Sequence, residues 1–270
     1  EPDDLEVLAS VANQAGLAIY NARLHETALD QKAVQRDIQL AREVQMSFLP
    51  NEVPAIEGYH FYHYYLPAHH VGGDYFDYLK LPDGRQAIIV ADVVGHGIAA
   101  ALLMAKFAAE FRFSIASGST PAEAICILND RMSGLELDRF VTMILVILDA
   151  DSRKMTIVNA GHMAPFCRRK DGTVEELAES CRGLPIGIMD GFPYEQAEAT
   201  IGEGDCILLY TDGINETMDP EGECYGIERM KVWFNELTGD VKVDCERLIE
   251  ELDEFRASES QFDDMCLVCF

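Results

Sequence analysis

The sequence predicts an α+β fold in which a largely antiparallel β-structure follows a long N-terminal helical region. Residues 3–49 carry apolar side chains at helical spacing. From residue 58 onward, short apolar strands are interspersed with helices. Short turns such as Asp149-Ala150-Asp151-Ser152 join many of the strand pairs. Short connections favour antiparallel pairing over a doubly wound parallel sheet, whose strands need long crossovers.

The N-terminal region has the apolar pattern of a coiled coil. Two seams with 3-4 spacing are present, joined by the segment Glu26–Gln31, which is either a break or a stutter. Ala-rich seams suit close helix pairing, so we expect a dimerising helix; the alternative is one amphipathic helix packed on its own domain. The seams are Leu5, Leu8, Ala12, Ala15, Ile19 and Ala22, and then Val34, Ile38, Ala41, Gln45 and Phe48.

The remaining elements follow from apolar runs, helical spacing and turn residues. The predicted strands are 59–65, 86–91, 141–148, 154–159 and 206–210, the weaker 164–168 and 194–201, and a closing strand 265–270. The predicted helices are 98–117, 121–132, 226–235 and 245–257.

Composition limits the possible functions of the chain. Its 270 residues include 47 acidic and 21 basic ones, giving a formal charge of −26. This charge argues against binding to nucleic acid, which needs Lys and Arg to displace counterions, and against binding to anionic membranes. No apolar run reaches the roughly 18 residues that a membrane span needs. The acidic excess is expected to form a solvated surface.

The cysteines indicate a reduced, cytoplasmic environment. Eight are present without a paired framework, and several lie in apolar runs. Cys266 and Cys269 form a C-x-x-C pattern, but positions i and i+3 of a strand point to opposite faces, so we expect no disulfide or chelate there. Because the sequence starts at Glu1 without an initiator Met, we expect it to be a fragment of a longer protein.

Four carboxylate motifs are the strongest indication of function. They are centred on Asp74, Asp92, Asp212 and the pair Asp263-Asp264, and three of them abut apolar runs. A carboxylate at the end of a buried strand is costly unless a positive charge neutralises it. Several converging carboxylates therefore predict a metal site, and oxygen-only ligands favour Mg²⁺ or Mn²⁺ over zinc.

Three histidine segments are less specific. His96 is either a general acid or base or a residue that orients the glycine turn around it. The tandem His69-His70 either contacts phosphate or has a surface or packing role. The segment Asn159–His162 either lines the site or stabilises a turn. Dinucleotide-binding, P-loop and nucleophile-elbow patterns are absent from the sequence.

Six sequence blocks together resemble the SpoIIE/RsbU branch of the metal-dependent PPM protein phosphatases. They are GGDYFD, ADVVGHGIAAALLMA, NAGHMAPF, GLPIGI, LLYTDGINE and FDDMCLV, in that order. The resemblance implies an antiparallel β-sandwich flanked by α-helices, the PPM phosphatase fold. Residues 1–26 resemble the closing helix of a GAF sensor domain and residues 27–50 a helical linker, which leaves residues 51–270 as the phosphatase domain.

The resemblance also implies a site for two ions, Mn²⁺ or Mg²⁺. Asp92 would bridge both ions, Val93 would contribute its backbone carbonyl, and Asp74, Asp212 and Asp263 would complete the catalytic acids. Asp264 stands where many relatives have Asn, so both acids of that pair remain candidate ligands. Cys266 replaces a Thr or Ser common in relatives. Val94, rather than His96, occupies the position of the proton-donating His of the wider family, so that role is not transferred.

The activity implied is hydrolysis of phosphoserine or phosphothreonine by a metal-activated water. The implied substrate is a phosphorylated, STAS-type anti-sigma-factor antagonist. An upstream sensor would act through a homodimer of the N-terminal helices, by repacking residues 27–50. Two alternatives are an inactive scaffold that binds the same partner and a GGDEF-like nucleotide cyclase. In the cyclase alternative, Tyr75 replaces the second acid of the GGDEF motif, and the later Asp motifs have no role.

Overall fold

The computed structural model describes residues 2–134, 139–257 and 259–270, with side chains described from Asn13 onward except that of Ala15. The chain divides into two compact units, Glu1–Val44 and Gln45–Phe270. Helix α1 spans Pro2–Met46 without interruption, so the segment Glu26–Gln31 is not a break.

The α1 seam is exposed at Ile19, Ala22, Val34 and Ala41, whereas Ile38 and Phe48 are half-buried and Gln45 is buried. Ile19 and Val34 expose 59% and 57% of their surface. Apolar side chains at such positions bury little surface within a single chain, which leaves them free to pair. The seam positions Leu5, Leu8, Ala12 and Ala15 lie outside the described side chains.

Eleven strands of the described residues form two sheets. One sheet has the order β1-β11-β10-β6-β7, and the other has the order β2-β3-β4-β5-β8, with β9 also paired to β5. All pairs are antiparallel except β5 with β8, which confirms the predicted pairing mode. The strands are β1 Tyr62–Leu66, β2 Tyr75–Lys80, β3 Gln86–Val93, β4 Val141–Asp149, β5 Lys154–Ala160, β6 Phe166–Arg168, β7 Val174–Glu176, β8 Arg182–Gly183, β9 Ala197–Thr200, β10 Cys206–Tyr210 and β11 Met265–Cys269.

Helices cover the outer faces of the two sheets. One core joins α2 and α3 to the second sheet and continues between the sheets, where it includes Leu209 and Val268. A second core lies between the first sheet and α5 and α6, with Trp233 and Leu248 at its centre. The predicted β-sandwich flanked by helices is therefore confirmed. The helices are α2 Ile98–Ser117, α3 Pro121–Ser133, α4 Asp212–Asn215, α5 Gly226–Asn235 and α6 Val241–Arg256, with a 3₁₀ turn at Glu179–Cys181.

The short elements β7, β8 and α4 were not predicted, and two further differences, in β2 and α6, have a clear physical cause. Strand β2 was missed because its central Asp77 is buried, which an apolar strand pattern does not anticipate. Asp77 accepts hydrogen bonds from the Tyr75 hydroxyl (2.7 Å) and from Arg112 of α2 (2.9 Å). Helix α6 begins four residues earlier than predicted, because the Asp240 carboxylate accepts from the backbone N–H groups of Lys242 and Val243 and caps the helix.

The cysteines are free thiols, as expected. Cys266 packs in the core between the sheets, whereas Cys269 packs in the outer core beside α6. The expectation that the C-x-x-C pair faces opposite ways is confirmed. Within the described part of the chain, no helix combines the length and the apolar character that crossing a membrane requires.

Candidate metal centre

All predicted acids lie at one end of the sandwich because of strand direction. Strands β2 and β3 are antiparallel neighbours, so the start of β2 lies beside the end of β3, where Tyr75 pairs with Ala91. The end of β10 likewise lies beside the start of β11, where Tyr210 pairs with Leu267. The residues at these four strand ends are Asp74 before β2, Asp92 and Val93 in β3, Asp212 after β10, and Asp263 and Asp264 before β11.

Asp74 is the most deeply buried acid of the site. Its side chain is 1% exposed, and its Oδ2 accepts a hydrogen bond from the Thr211 hydroxyl at 2.7 Å. Burial raises the pKa of Asp74 well above its ordinary value, and the negative charges of Asp92 and Asp264 raise it further. A carboxylate in this position needs a nearby cation to remain ionised at neutral pH.

Asp92 lies in the middle of the acid cluster. Burial and the charge of Asp212 raise the pKa of Asp92 to about 7, and its carboxyl is within hydrogen-bonding reach of Asp74. Burial and the charge of Asp263 raise the pKa of Asp212 to about 6. The acids therefore repel one another, and each is ionised only at the expense of its neighbours.

Asp263 and Asp264 have different surroundings. Both carboxylate oxygens of Asp264 accept from backbone N–H groups, Oδ1 from Ala68 (2.7 Å) and Oδ2 from Gly73 (2.5 Å). Asp263 accepts a bond from the backbone of Asp264 through Oδ1 at 2.8 Å. Asp264 thus ties the segment before β2 to the start of β11, whereas Asp263 keeps more of its acceptor capacity for a ligand.

Three glycines let the backbone segments of the site approach one another. A Cβ at Gly72 would overlap Oδ2 of Asp264, and a Cβ at Gly73 would lie 2.8 Å from the Val93 carbonyl oxygen. A Cβ at Gly213 would overlap the carbonyl oxygen of Asp264. Close approach, rather than positive φ, is what these positions require.

Two polar residues at the site were not identified as functional from the sequence. Thr211 is fully buried, and besides donating to Asp74 its hydroxyl accepts from the Cys266 N–H at 2.9 Å. Gln45, which the sequence places in the α1 seam, is 4% exposed and bonds to Gly72. The sequence held a signal for each residue. Gln45 is a polar residue at an apolar seam position, and Thr211 directly precedes the candidate ligand Asp212.

The donor set fits a hard divalent cation. The candidate donors are carboxylate oxygens and the Val93 carbonyl. Burial, and then the charge of neighbouring acids, raises the pKa values of Asp74, Asp92 and Asp212. In residues 2–134, 139–257 and 259–270, no three His, Cys, Asp or Glu side chains converge closely enough to hold an ion by themselves. Mg²⁺ retains several waters and binds proteins through one or two carboxylates, so an open arrangement of acids suits it.

The neighbouring histidines and Cys266 do not join the acid cluster. His69 and His96 are exposed and face each other edge-on, with ring centroids 5.4 Å apart. His69 lies in the segment that leads to Asp74, and His96 lies in the turn that follows Asp92 and β3, so both lie at the rim of the site. Burial and the charge of Asp74 raise the pKa of Cys266, which keeps it a thiol. His70 is exposed.

His162 has a structural role at the junction of the two sheets. Its Nε2 bonds to the Tyr210 carbonyl of β10 at 3.0 Å, and its Nδ1 lies 2.7 Å from the Thr142 hydroxyl of β4. Because a carbonyl only accepts, Nε2 carries the proton and Nδ1 accepts from Thr142. Asn159 closes the turn by bonding to both backbone groups of His162. The turn-stabilising alternative for this segment is therefore correct.

Stability should depend on pH through His162. Burial lowers the pKa of His162 to about 4. The folded state then binds fewer protons than the unfolded state between about pH 6.5 and 4, so stability is lost as pH falls through that window. We therefore expect the unfolding free energy of the wild type, relative to that of His162→Gln, to decrease by about 3 kcal/mol as the pH falls from about 6.5 to 4. Urea unfolding in EDTA measures this, and a constant difference would contradict it.

Comparison with known proteins places the chain in a family. RsbP of Bacillus subtilis, a phosphoserine phosphatase, is 27% identical over 243 residues, which are 87% of this chain and 57% of RsbP. RsbU of the same organism, also a phosphoserine phosphatase, is 29% identical over 194 residues, 71% of this chain and 57% of RsbU. The chain thus spans little more than half the length of either relative.

Structural comparison gives the same result. The PP2C domain of SiaA from Pseudomonas aeruginosa superimposes with a TM-score of 0.78 and 25% identity, covering 89% of this chain and 97% of that domain. The fold is therefore that of the PP2C (PPM) phosphatases, which gives no support to the nucleotide-cyclase alternative. The profile of stage II sporulation protein E (SpoIIE) matches residues 82–270. The chain belongs to the SpoIIE family.

Proposed function

We propose that the chain is a metal-dependent serine/threonine protein phosphatase that hydrolyses phosphoserine or phosphothreonine on a partner protein. The acid cluster at one end of a PP2C fold is the observation that carries the proposal. The activity named for RsbP and RsbU, which share most of this chain, supports the same reaction. The carboxylates of Asp74, Asp92 and Asp212 are buried beside other acids, which is costly unless a cation neutralises them.

We assign the metal ligands as in the resemblance. Asp92 lies between the other acids and would bridge two ions, with Asp74, Asp212, Asp263 and the Val93 carbonyl around it. Two Mg²⁺ or Mn²⁺ ions would supply an activated water and stabilise charge on the transferred phosphoryl group. Asp264 is assigned to holding the Gly73 backbone, because both of its oxygens already accept backbone hydrogen bonds.

The chain's own residues fix the positions of these ligands. The Thr211 hydroxyl orients the Asp74 carboxylate by donating to its Oδ2. The same hydroxyl accepts from the Cys266 N–H, which anchors Thr211 to the start of β11. Asp264 fixes the approach of Gly73 to the Val93 carbonyl. Because the acids repel one another, this restraint keeps them close enough to share ions.

A protein-borne phosphoryl group suits the shape of the site. The cavity beside Asp263 and Gly213 has a volume of only about 20 Å³. A cavity of about 460 Å³ is lined by Cys206 and Arg153, so it lies at the other end of β10. Small-molecule sites are usually enclosing pockets of several hundred Å³, and neither of these two cavities combines such a volume with the acids of the site, which favours a side chain presented from a partner's surface.

The wider assignment rests on the family resemblance. The substrate would be a phosphorylated STAS-type anti-sigma-factor antagonist. A GAF-like sensor ending at residue 26 would control the phosphatase through a linker of residues 27–50 and a homodimer of the N-terminal helices. The continuous α1 helix and its exposed apolar seam support the pairing. Repacking of the linker would shift the population of a metal-competent site.

The proposal is tested by hydrolysis of p-nitrophenyl phosphate and of a phosphoserine protein with added Mn²⁺. We expect turnover that EDTA abolishes. Asp263→Asn should remove Mn²⁺ binding and turnover. Asp264→Asn should retain both but lower the unfolding free energy by about 1–3 kcal/mol, because an amide cannot accept from both the Ala68 and Gly73 N–H groups.

Two outcomes would contradict the proposal. Mn²⁺ binding by the wild type without turnover of either substrate would favour the inactive-scaffold alternative. If Asp264→Asn, rather than Asp263→Asn, lost Mn²⁺ while remaining folded, the roles assigned to the two acids would be reversed.

A further inference from the structure

Three cysteine thiols meet at the end of the sandwich opposite the acid cluster. Cys206 begins β10, Cys269 ends β11, and Cys245 lies on α6. The sulfurs of Cys206 and Cys269 are 3.2 Å apart, and Cys269 also lies within hydrogen-bonding reach of Cys245. All three belong to the outer core between the first sheet and the helices α5 and α6. We call these three residues the thiol cluster.

The strand register brings the sulfurs of Cys206 and Cys269 together. Leu208 of β10 pairs with Cys269 of β11, and Cys206 lies two residues before Leu208 on the same face of the sheet. Cys206 and Cys269 are therefore diagonal neighbours on adjacent strands. Their sulfurs, 3.2 Å apart, must approach by about 1.2 Å to form a disulfide, a movement that rotation about the two Cα–Cβ bonds can supply.

The two thiols of this pair differ in their access to solvent. Cys206 is 7% exposed and lines a cavity of about 460 Å³, whereas Cys269 is fully buried. Hydrogen bonding with Cys206 and Cys245 raises the pKa of Cys269 well above its ordinary value, which keeps Cys269 a thiol. A small oxidant that enters the cavity therefore meets Cys206 first, with the Cys269 sulfur already in contact behind it.

We propose that Cys206 and Cys269 form a reversible oxidation site, at which hydrogen peroxide converts the two thiols into a disulfide. In the first step, the Cys206 sulfur bonds to one peroxide oxygen, the O–O bond breaks, and the thiol proton leaves with the other oxygen as water. In the second step, the Cys269 sulfur displaces the hydroxyl from Cys206. The S–S bond forms, the S–O bond breaks, and a second water carries away the Cys269 proton. The two thiols lose two electrons, which the peroxide accepts.

The disulfide would join the first residue of β10 to the last residue of β11. Because Cys206 and Cys269 are 63 residues apart in sequence, the bond would restrict the unfolded chain and stabilise the folded one. The metal ligands Asp212 and Asp263 lie at the other ends of these strands. The inference goes beyond the proposed phosphatase activity, and neither proposal depends on the other.

The test is disulfide mapping of the full chain after treatment with hydrogen peroxide. The reduced protein is oxidised and then unfolded in the presence of an alkylating reagent, and its peptides are mapped by mass spectrometry without reduction. We expect the Cys206–Cys269 linkage to exceed every other cysteine pairing by at least about tenfold, because sulfurs in contact need no diffusive encounter. The oxidised protein should melt about 5 °C or more above the reduced protein, and dithiothreitol should reverse both changes.

Three variants test the order of the two steps. Cys269→Ala should stop the reaction after the first step and leave a sulfenic acid on Cys206, which dimedone traps. Cys206→Ala should abolish both the linkage and the dimedone adduct at this site. Cys224→Ala is the matched control, because Cys224 is exposed and lies outside the thiol cluster, and it should form the linkage like the wild type.

Two results on the wild type would overturn the proposal, so the outcome does not depend on the folding of a variant. The first is oxidation of the exposed Cys224 without a Cys206–Cys269 linkage, which would leave the thiol cluster as packing of small apolar side chains. The second is a Cys245–Cys269 linkage in place of the Cys206–Cys269 linkage, which would contradict the entry of the oxidant at Cys206.

Discussion

Asp92→Asn is expected to lower Mn²⁺-dependent hydrolysis of a phosphoserine protein by at least about a hundredfold, the loss reached when a mere partner of a metal ligand is removed. Asp92 is within hydrogen-bonding reach of Asp74, and it is close enough to Asp212 for that charge to raise its pKa. A neutral amide at this central position removes charge from the point nearest all the other acids. Asp212→Asn should reduce turnover in the same direction.

The same substitution should have the opposite effect on the metal-free protein. Burial and the charge of Asp212 raise the pKa of Asp92 to about 7 in the folded state, from its ordinary value of 3.8. The folded state therefore loses stability as pH rises through that interval, because the buried carboxyl must ionise. In EDTA at about pH 8, Asp92→Asn should thus be more stable than the wild type, by up to about 4 kcal/mol at 1.36 kcal/mol for each pKa unit.

Calorimetric melting with and without Mn²⁺ measures both effects. Mn²⁺ should raise the melting temperature of the wild type but leave that of Asp92→Asn unchanged, because only the wild type binds the ion. Asp77→Asn is the matched control, since Asp77 belongs to the same motif as Asp74 but pairs with Arg112 outside the cluster. It should keep the response to Mn²⁺. An Asp92→Asn protein that melts higher with Mn²⁺ would place the metal elsewhere.

The acids of the site could be predicted because strand ends are visible in the sequence. Apolar runs located β3, β10 and β11, and each of these carries or abuts an acid. Antiparallel pairing then places the end of one strand beside the start of the next, which brings separated motifs together. Helix α2 was predicted with its observed bounds, because its apolar spacing follows directly after a glycine turn.

The supporting residues depend on contacts that no local pattern encodes. In the sequence, Gln45 is only a polar residue within the apolar 3-4 pattern of α1. Its hydrogen bonds to Gly72 form only when the end of α1 and the segment before β2 come together in the fold. The division of roles between Asp263 and Asp264 likewise depends on the backbone donors of Ala68 and Gly73, more than 190 residues away. Strand β2 escaped prediction because the partner of Asp77 lies 35 residues away in α2.

Gly213→Ala is expected to destabilise the protein by about 3 kcal/mol or more, the upper range for forcing extra atoms into a packed site. The new Cβ would overlap the backbone carbonyl oxygen of Asp264, and Asp263 also lies within 3.3 Å of it. A backbone atom cannot rotate away as a flexible side chain does. The α4 turn and the start of β11 must therefore separate, which displaces Asp212 and Asp263 together.

Gly134→Ala is the control for the intrinsic effect of replacing glycine by alanine. Gly134 ends helix α3 with φ of −74°, and a Cβ there meets nothing within 4 Å. It should change the unfolding free energy by less than about 1 kcal/mol, because alanine adopts this conformation without strain. Equal urea stability of the two variants would contradict the tight contact at Gly213. A folded Gly213→Ala protein with wild-type Mn²⁺ affinity would show that the acids tolerate separation of the two strand ends. The metal centre would then depend less on fixed backbone geometry than the hydrogen bonds of Asp264 and Thr211 imply.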